Sequence, residues 1–146
     1  MTVRYDGGLN RNVFQDSAVP VALTQRTRVT LAQLNAGYTL LAAIPGFKYR
    51  LIDCKLIAVG GAATTGTSVN IIGTRAAAAV QLLVAAVAAL TQSALVRIGA
   101  ANAVILADGA SFTQLDVNTP VTIITVGTAM TVMTNIDVDL TFAVEE

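Results

Sequence analysis

The sequence contains no histidine, no tryptophan and a single cysteine, Cys54. Without histidine there is no imidazole to act as a general base or to activate a serine or cysteine nucleophile. One cysteine cannot form an internal disulfide, and no cluster of side chains has the spacing of a zinc site. The composition therefore argues against an enzyme, and we expect no catalytic residue, no cofactor and no metal.

Charge is also scarce. Charged residues make up 12% of the 146 residues and hydrophobic residues 54%, with 25 alanines, 18 valines and 18 threonines. Such a chain is too apolar for disorder, and its length predicts one domain. Its surface has to include many Ala, Val and Thr side chains, and large exposed apolar patches usually mark interfaces. The composition therefore predicts protein–protein contact.

The nine basic and nine acidic residues cancel, but they are unevenly distributed along the chain. All nine basic residues lie within residues 1–97, whereas residues 98–146 hold six acidic residues and no base. The basic residues form no cluster, and counterion release on nucleic acid needs concentrated cations, so we expect no nucleic-acid binding. The two poles can neutralise each other within the domain or between neighbouring copies, and both alternatives are open.

Residues 76–96 form the longest apolar window, which would be long enough to span a bilayer. Much of it is alanine, however, and polar residues interrupt it. The first residues lack the apolar stretch of a signal peptide. We therefore expect no membrane segment and a soluble protein made in the cytosol.

The same window is ambiguous in secondary structure. Its apolar residues fit one face of a helix, and alanine favours helix. They also fit a buried strand near Val80–Val84 followed by a turn at Ala88–Ser93. We favour the strand and keep a short helix over residues 76–90 as the alternative.

Residues 1–18 are predicted to form an extended N-terminal arm, separate from a domain over residues 19–146. Turn-forming Asp, Gly and Asn residues separate isolated apolar side chains there. The arm is either a frayed terminus or a strap that becomes ordered on a partner. In the second case the interface residues would be Arg4, Tyr5, Arg11, Asn12 and Phe14.

From Val19 onwards, short runs rich in Val, Ile and Thr alternate with turns, which is typical of strands. The predicted strands are Val19–Thr24, Thr27–Leu31, Thr39–Ile44, Lys48–Val59, Ser68–Thr74, Ala94–Ile98, Val104–Leu106, Ser111–Val117, Val121–Val126 and Asn135–Val144. About ten short strands without βαβ spacing predict an all-β fold, either an antiparallel β-sandwich or a jelly roll.

Two of these strands alternate clearly. In Asn135–Val144 the apolar residues alternate with Asn, Asp and Thr, so that one face is apolar and the other wet. In Lys48–Val59 we expect Ile52, Cys54, Leu56 and Ala58 to share the buried face.

Three further features could carry chemistry. Cys54 on a predicted core face is interpreted as a core thiol rather than a redox group. Asp137 and Asp139, with Asp116, could offer carboxylates to calcium, but no ligand loop is visible and we favour a solvated face or edge protection. The glycine-rich segment Gly60–Gly66 lacks the ending of a phosphate loop and is interpreted as a hairpin connection.

Three segments carry a resemblance to a known family. They are V-R-Y-D-G-G-L-N at Val3–Asn10, I-P-G-F-K-Y-R-L-I-D at Ile44–Asp53 and N-I-D-V-D-L-T-F at Asn135–Phe142, together with the middle rich in Ala, Thr and Gly. In these features the chain resembles the decoration or cement proteins of tailed bacteriophages. The resemblance implies a structural virion protein on the outer capsid surface. It would bind the major capsid protein and itself as a homodimer or homotrimer, stabilising contacts between capsomers. The alternative is a tail, baseplate or fibre component for attachment.

Overall fold

The structure, a computed structural model, describes residues 4–5, 12–13, 21–100, 103–106 and 109–146. Its strands are β1 (Arg4–Tyr5), β2 (Asn12–Val13), β3 (Val21–Thr30), β4 (Tyr38–Leu41), β5 (Lys48–Val59), β6 (Ala63–Thr64), β7 (Ser68–Arg75), β8 (Ala78–Ala86), β9 (Leu95–Arg97), β10 (Ala103–Val104), β11 (Val121–Val126), β12 (Thr131–Val132) and β13 (Asn135–Glu145). One α-helix, α1 (Leu31–Ala36), and 3-10 turns at Val87–Ala89 and Ala110–Phe112 complete the described elements.

Two large antiparallel sheets form the body of the domain, and β6 pairs with β12 in a separate two-stranded sheet. One large sheet has the strand order β3-β13-β5-β9 and the other β10-β8-β7-β11-β4. The partners are nested along the chain, since β3 pairs with β13, β4 with β11, β5 with β9 and β7 with β8. This nesting is the topology of a jelly roll. The predicted all-β sandwich is therefore confirmed.

The core lies between the two sheets and follows the period-two pattern of their strands. On β13 the side chains of Ile136, Val138, Leu140 and Phe142 are buried, as the alternation predicts. The ring of Phe142 meets that of Tyr49 on β5 edge to face, with 5.5 Å between centroids. Buried aliphatic residues of the second sheet, among them Ile71, Leu83 and Ile123, complete the core.

A β-bulge in β5 corrects one predicted face. Cys54, Leu56 and Ala58 are buried, but Ile52 is 38% exposed. On the N-terminal side of Ile52, the buried residues are Leu51 and Tyr49. The register against β13 shifts at this point, because Thr141 is opposite Asp53 and Phe142 is opposite Leu51. Ile52 is the extra residue, and a bulge turns the residues on its two sides to different faces.

Helix α1 replaces the end of a predicted strand. The described part of the predicted strand Val19–Thr24, which begins at Val21, and the predicted strand Thr27–Leu31 are one ten-residue strand, β3. Residues 19 and 20 lie outside the described chain, and Leu31 begins the helix. Thr30 caps this helix: its hydroxyl accepts a hydrogen bond from the Gln33 N–H, and the Gln33 side chain accepts one from the Thr30 N–H. Leu34 anchors the helix in the core with no exposed surface.

The ambiguous segment over residues 76–90 is a strand, as favoured, and β8 ends in the 3-10 turn Val87–Ala89. No helix in the described ranges is long and apolar enough to cross a membrane. The segment Gly60–Gly66 is not a hairpin connection, because it leads from β5 in one sheet to β7 in the other.

The predicted strand Ser111–Val117 is also wrong. Ser111 belongs to a 3-10 turn, where its buried hydroxyl accepts a hydrogen bond from the Leu106 N–H. Leu115 closes the core against Gly73, where a β-carbon would come within 2.6 Å of Leu115 Cδ1. Residues 111–117 are therefore held by the packing of side chains such as Leu115 and not by pairing in a sheet.

The capping box gives a first test of the fold. We expect Thr30→Ala to lower the free energy of unfolding by about 1 kcal/mol, because the N–H of Gln33 loses its acceptor. Thr39→Ala, at an exposed strand position, is the matched control and should change it less. Chemical denaturation measures both, and equal losses would contradict the role of the cap.

Candidate protein-interaction face

The residues predicted for the N-terminal arm fall only partly within the described chain. Arg4 and Tyr5 lie on β1, which pairs antiparallel with β2, where Asn12 lies. Arg11 and Phe14 lie outside the described residues. The role of these five residues at an interface stays a prediction.

The outer face of the four-stranded sheet is charged, and its charges are paired across strands. Arg26 on β3 contacts Asp139 on β13 through two hydrogen bonds of 2.6 and 2.8 Å. Arg28 contacts Asp137 in the same way at 2.7 and 2.8 Å. These are bidentate pairs, which fit the planar guanidinium to both carboxylate oxygens. We call this surface the ion-paired face.

Three further pairs extend the ion-paired face across β5 and β9. Asp53 lies 3.7 Å from the Lys55 ammonium and 3.2 Å from Arg97, and Arg50 lies 2.8 Å from Glu145. The pairs of Asp137, Asp139 and Glu145 each join the basic first part of the chain to its acidic end. At these positions the two charge poles thus neutralise each other within the domain, and not between neighbouring copies.

The ion pairs shift the titration of their acids. The hydrogen bond from Arg28 lowers the pKa of Asp137, and the hydrogen bond from Arg26 lowers that of Asp139, although partial burial opposes both shifts. Burial raises the pKa of Glu145, but hydrogen bonds from Arg50 and Gln114 outweigh it, so its pKa is also lowered. All three carboxylates are therefore held in their charged form.

The calcium alternative does not fit these positions. Asp137 and Asp139 bind arginines, and Asp116 lies elsewhere, where its carboxylate accepts hydrogen bonds from Ala76 and Ala77 N–H at 2.9 and 2.8 Å. There it holds the β7–β8 turn, whose two alanines have positive φ angles of 52° and 59°. Within the described ranges, no three metal-ligating side chains of His, Cys, Asp or Glu come together. Edge protection is also wrong, because β13 is a central strand.

Cys54 is a core thiol, as interpreted from the sequence. Its side chain has no exposed surface, and burial raises the pKa of the thiol far above its ordinary value. A thiol that stays protonated is a poor nucleophile and a poor metal ligand.

Among the described residues, the outer face of the five-stranded sheet carries no charged side chain, and we call it the uncharged face. Arg75 is the one charged residue on these five strands, and it donates hydrogen bonds to Ala110 O and to the Thr113 hydroxyl. Cross-strand pairing places the following residues on the uncharged face: Thr39, Ser68, Asn70, Ile72, Thr74, Ala79, Gln81, Val84, Ala86, Val104, Thr122, Ile124 and Val126.

At the centre of the uncharged face, two polar side chains are hydrogen-bonded to each other. Asn70 lies between Val84 and Ile124 on the neighbouring strands and is only 2% exposed. Its side-chain oxygen accepts a 2.7 Å hydrogen bond from Ser68. Around this pair, Val126 and Val104 are 41% and 61% exposed. A partner would thus cover apolar side chains without removing water from a charge, which is the costly step in burying polar surface.

The sequence interpretation missed the uncharged face as a site, although its strands β7, β8 and β11 were predicted. Its signal is the absence of Asp, Glu and Lys from these strands. The uncharged residues form one surface only because β10, β8, β7, β11 and β4 are neighbours in the sheet. The order of these strands cannot be predicted from the local sequence pattern.

Comparison with known proteins places the chain in no group: no protein-family model, no curated protein and no solved structure matches it significantly.

The ion-paired face predicts a particular response to acid. Because the folded pKa values of Asp137 and Asp139 are lowered, their contribution to stability is complete above the ordinary aspartate pKa of about 3.9. It is lost as the pH falls through the lower folded values. We expect the unfolding temperature of the double variant Asp137→Asn/Asp139→Asn to depend less on pH below about 4 than that of the parent.

The control for this measurement is Thr141→Asn, on the same face and strand, which removes no titrating group. It should keep the acid response of the parent in thermal unfolding followed by circular dichroism. If the double variant loses stability in acid as steeply as the parent, the two pairs do not stabilise the sheet.

Proposed function

We propose that this protein is a capsid decoration protein, which attaches through the uncharged face to the outer shell of a tailed-phage head and reinforces contacts between capsomers. The observation that supports attachment is the contrast between two outer faces of one domain. The choice of a phage head rests on the resemblance of residues 3–10, 44–53 and 135–142, and jelly rolls also recur in viral capsid domains.

The uncharged face is suited to this attachment for a physical reason. Burying apolar surface contributes about 25 cal/mol per Å², and exposed side chains such as Val126 and Val104 supply that surface. Interfaces are depleted of charge at their centre, as this face is. The ion-paired face would then remain in solvent, where its neutralised charges keep the assembled surface hydrated.

Reinforcement would follow from mass action. A protein that binds the assembled lattice better than separate capsomers shifts the equilibrium towards the lattice. No catalytic step is needed, and the chain's own residues do no more than bind and exclude water at the contact.

Lysine substitutions on the two faces test the attachment. Val104 and Leu95 both lie on short edge strands and are similarly exposed, at 61% and 57%, but Val104 is on the uncharged face and Leu95 on the ion-paired face. We expect Val104→Lys, combined with Val126→Lys, to weaken binding to heads lacking the protein by roughly tenfold or more, because unpaired charge would be buried.

Leu95→Lys is the matched control and should bind as the parent does. Pelleting of heads with bound protein measures the affinity of each variant. Loss of binding in Leu95→Lys with none in the double variant would contradict attachment through the uncharged face.

Particles test the choice between a head and a tail protein. On a decorated head the copy number, read by gel densitometry, should be comparable with that of the major capsid protein. Heads lacking the protein should release DNA at a lower temperature than complete heads. A small ring of copies would instead favour the tail, baseplate or fibre alternative, and equal heat resistance would contradict reinforcement.

A further inference from the structure

Strand β3 is a free edge of the four-stranded sheet, and its pairing is independent of what the uncharged face binds. The geometry points to a homodimer in which two copies of β3 pair antiparallel across a twofold axis, joining the two four-stranded sheets into one sheet of eight strands.

Strand β3 differs from the other sheet edges in the described chain. The edge strands β10, β9 and β4 have two, three and four residues, and β4 pairs through a bulge. Strand β3 has ten residues without Pro or Gly, and its pairing with β13 runs from Val21 to Thr30 without a register shift. Long regular edges are templates for another strand, and proteins usually shorten, bend or charge them.

The charges of β3 do not guard this edge. Its two charged residues, Arg26 and Arg28, are turned towards β13 by their bidentate pairs with Asp139 and Asp137. An approaching strand would therefore meet neutral pairs rather than free cations. Leu23, also on β3, is 46% exposed beside the same edge.

Hydrogen bonds in the sheet show which backbone groups point away from β13. Thr134 N–H donates to Val59 O at 3.0 Å and Ile98 N–H to Cys54 O at 2.9 Å. The backbone N–H and C=O groups of odd-numbered residues in this part of β5 therefore point towards β13. Ile57, which lies opposite Asp137, is one of these residues. Antiparallel pairs alternate between bonded and non-bonded, so even-numbered residues of β13 bond to odd-numbered residues of β3.

The even-numbered residues of β3 therefore point their backbone groups outward. The N–H of Thr30 confirms this direction, because it meets the Gln33 side chain of α1 rather than β13. Ahead of it, the outward N–H and C=O groups belong to Ala22, Thr24, Arg26 and Arg28. None of these groups has a backbone partner among the described residues.

One register satisfies all of these groups. With Gln25 opposite Gln25 on the twofold axis, Thr24 exchanges hydrogen bonds with Arg26 of the other copy, and Ala22 does so with Arg28. In this register no arginine lies directly opposite another arginine. Such an opposition of like charges would destabilise the pairing. Shifting each copy so that Arg26 faces Arg26 would create that opposition and would place Ala22 against Thr30, whose N–H is already bonded.

This dimer has a geometric consequence for the proposed attachment. A twofold axis perpendicular to the shared sheet leaves both five-stranded sheets on the same side of it. The two uncharged faces would then point in one direction, and both ion-paired faces in the other. If the proposed function holds, one dimer can lie flat on a shell and contact two neighbouring sites.

Cysteine cross-linking tests the register. Opposed residues of a non-bonded antiparallel pair have Cα atoms about 4.5 Å apart, within disulfide range. Under mild oxidation, Gln25→Cys in the full chain should give a covalent dimer on a non-reducing gel. Thr27→Cys is the matched control and should stay monomeric on the gel, because in this register Thr27 faces Leu23 and the two copies of residue 27 lie roughly 14 Å apart along the strands.

Loss of the outward N–H tests the pairing itself. Thr24→Pro removes a group that points away from β13, and proline is tolerated on an edge strand in that orientation. We expect its dimer to dissociate at least roughly tenfold more readily in sedimentation measurements, with an unchanged circular dichroism spectrum. Thr24→Val keeps the N–H and should dimerise as the parent does.

Two results would overturn the proposal. One is a monomeric parent at all concentrations together with no cross-link in Gln25→Cys. The other is a dimer that survives Thr24→Pro but is lost on deletion of residues 1–20, which would assign the contact to the N-terminal segment. Neither result bears on the binding of Val104→Lys/Val126→Lys to heads, so the two proposals can fail separately.

Discussion

The central strand β13 contributes both to the core and to the charged outer surface of this domain. It pairs with β3 on one side and β5 on the other, so it holds three of the four strands of its sheet together. Its inward residues, such as Ile136 and Leu140, fill the core. Its outward residues Asp137 and Asp139 take up arginines that come from the other end of the chain. One period-two pattern thus supplies both the packing and the charge neutralisation.

This arrangement leaves most of the chain's charge on one sheet. The strands of the four-stranded sheet carry Arg26, Arg28, Lys48, Arg50, Asp53, Lys55, Arg97, Asp137, Asp139 and Glu145, whereas the five-stranded sheet carries Arg75 alone. The outer face of the first sheet is therefore charged, and that of the second is uncharged. In a domain with this asymmetry, covering the uncharged face by a partner lowers the free energy, whereas covering the ion-paired face lowers it little. The proposed attachment and the proposed dimer use different parts of the molecule, the outer face of one sheet and the edge of the other.

Much of the fold could be predicted where the local pattern was strong. The bounds of β5 and β11 were predicted correctly because glycine and proline residues bracket regular runs there. The strict alternation of β13 predicted that strand to within one residue, since it ends at Glu145 rather than Val144. Helix α1 was missed because six residues give too short a run for helical periodicity, although Thr30 and Gln33 carry the spacing of a capping box. The bulge at Ile52 has no signal, since the residue is as apolar as its buried neighbours.

The candidate site was less predictable than the fold. The composition indicated an apolar interface, but the assignment of Val84, Ile124 and Val104 to one surface needs the strand order. The pairing of Arg26 with Asp139 needs the register of β3 on β13. Both are long-range properties, and no pattern within ten residues contains them.

Attachment through the uncharged face fixes how the domain is oriented on another protein. A cryo-electron microscopy map of assembled particles, at a resolution that separates the two sheets, shows which outer face meets the shell. We expect the five-stranded sheet to lie against the shell and the ion-paired face to point into solvent. A map in which Arg26, Arg28 and their aspartate partners contact the shell, with Val84 and Ile124 in solvent, would contradict attachment through the uncharged face.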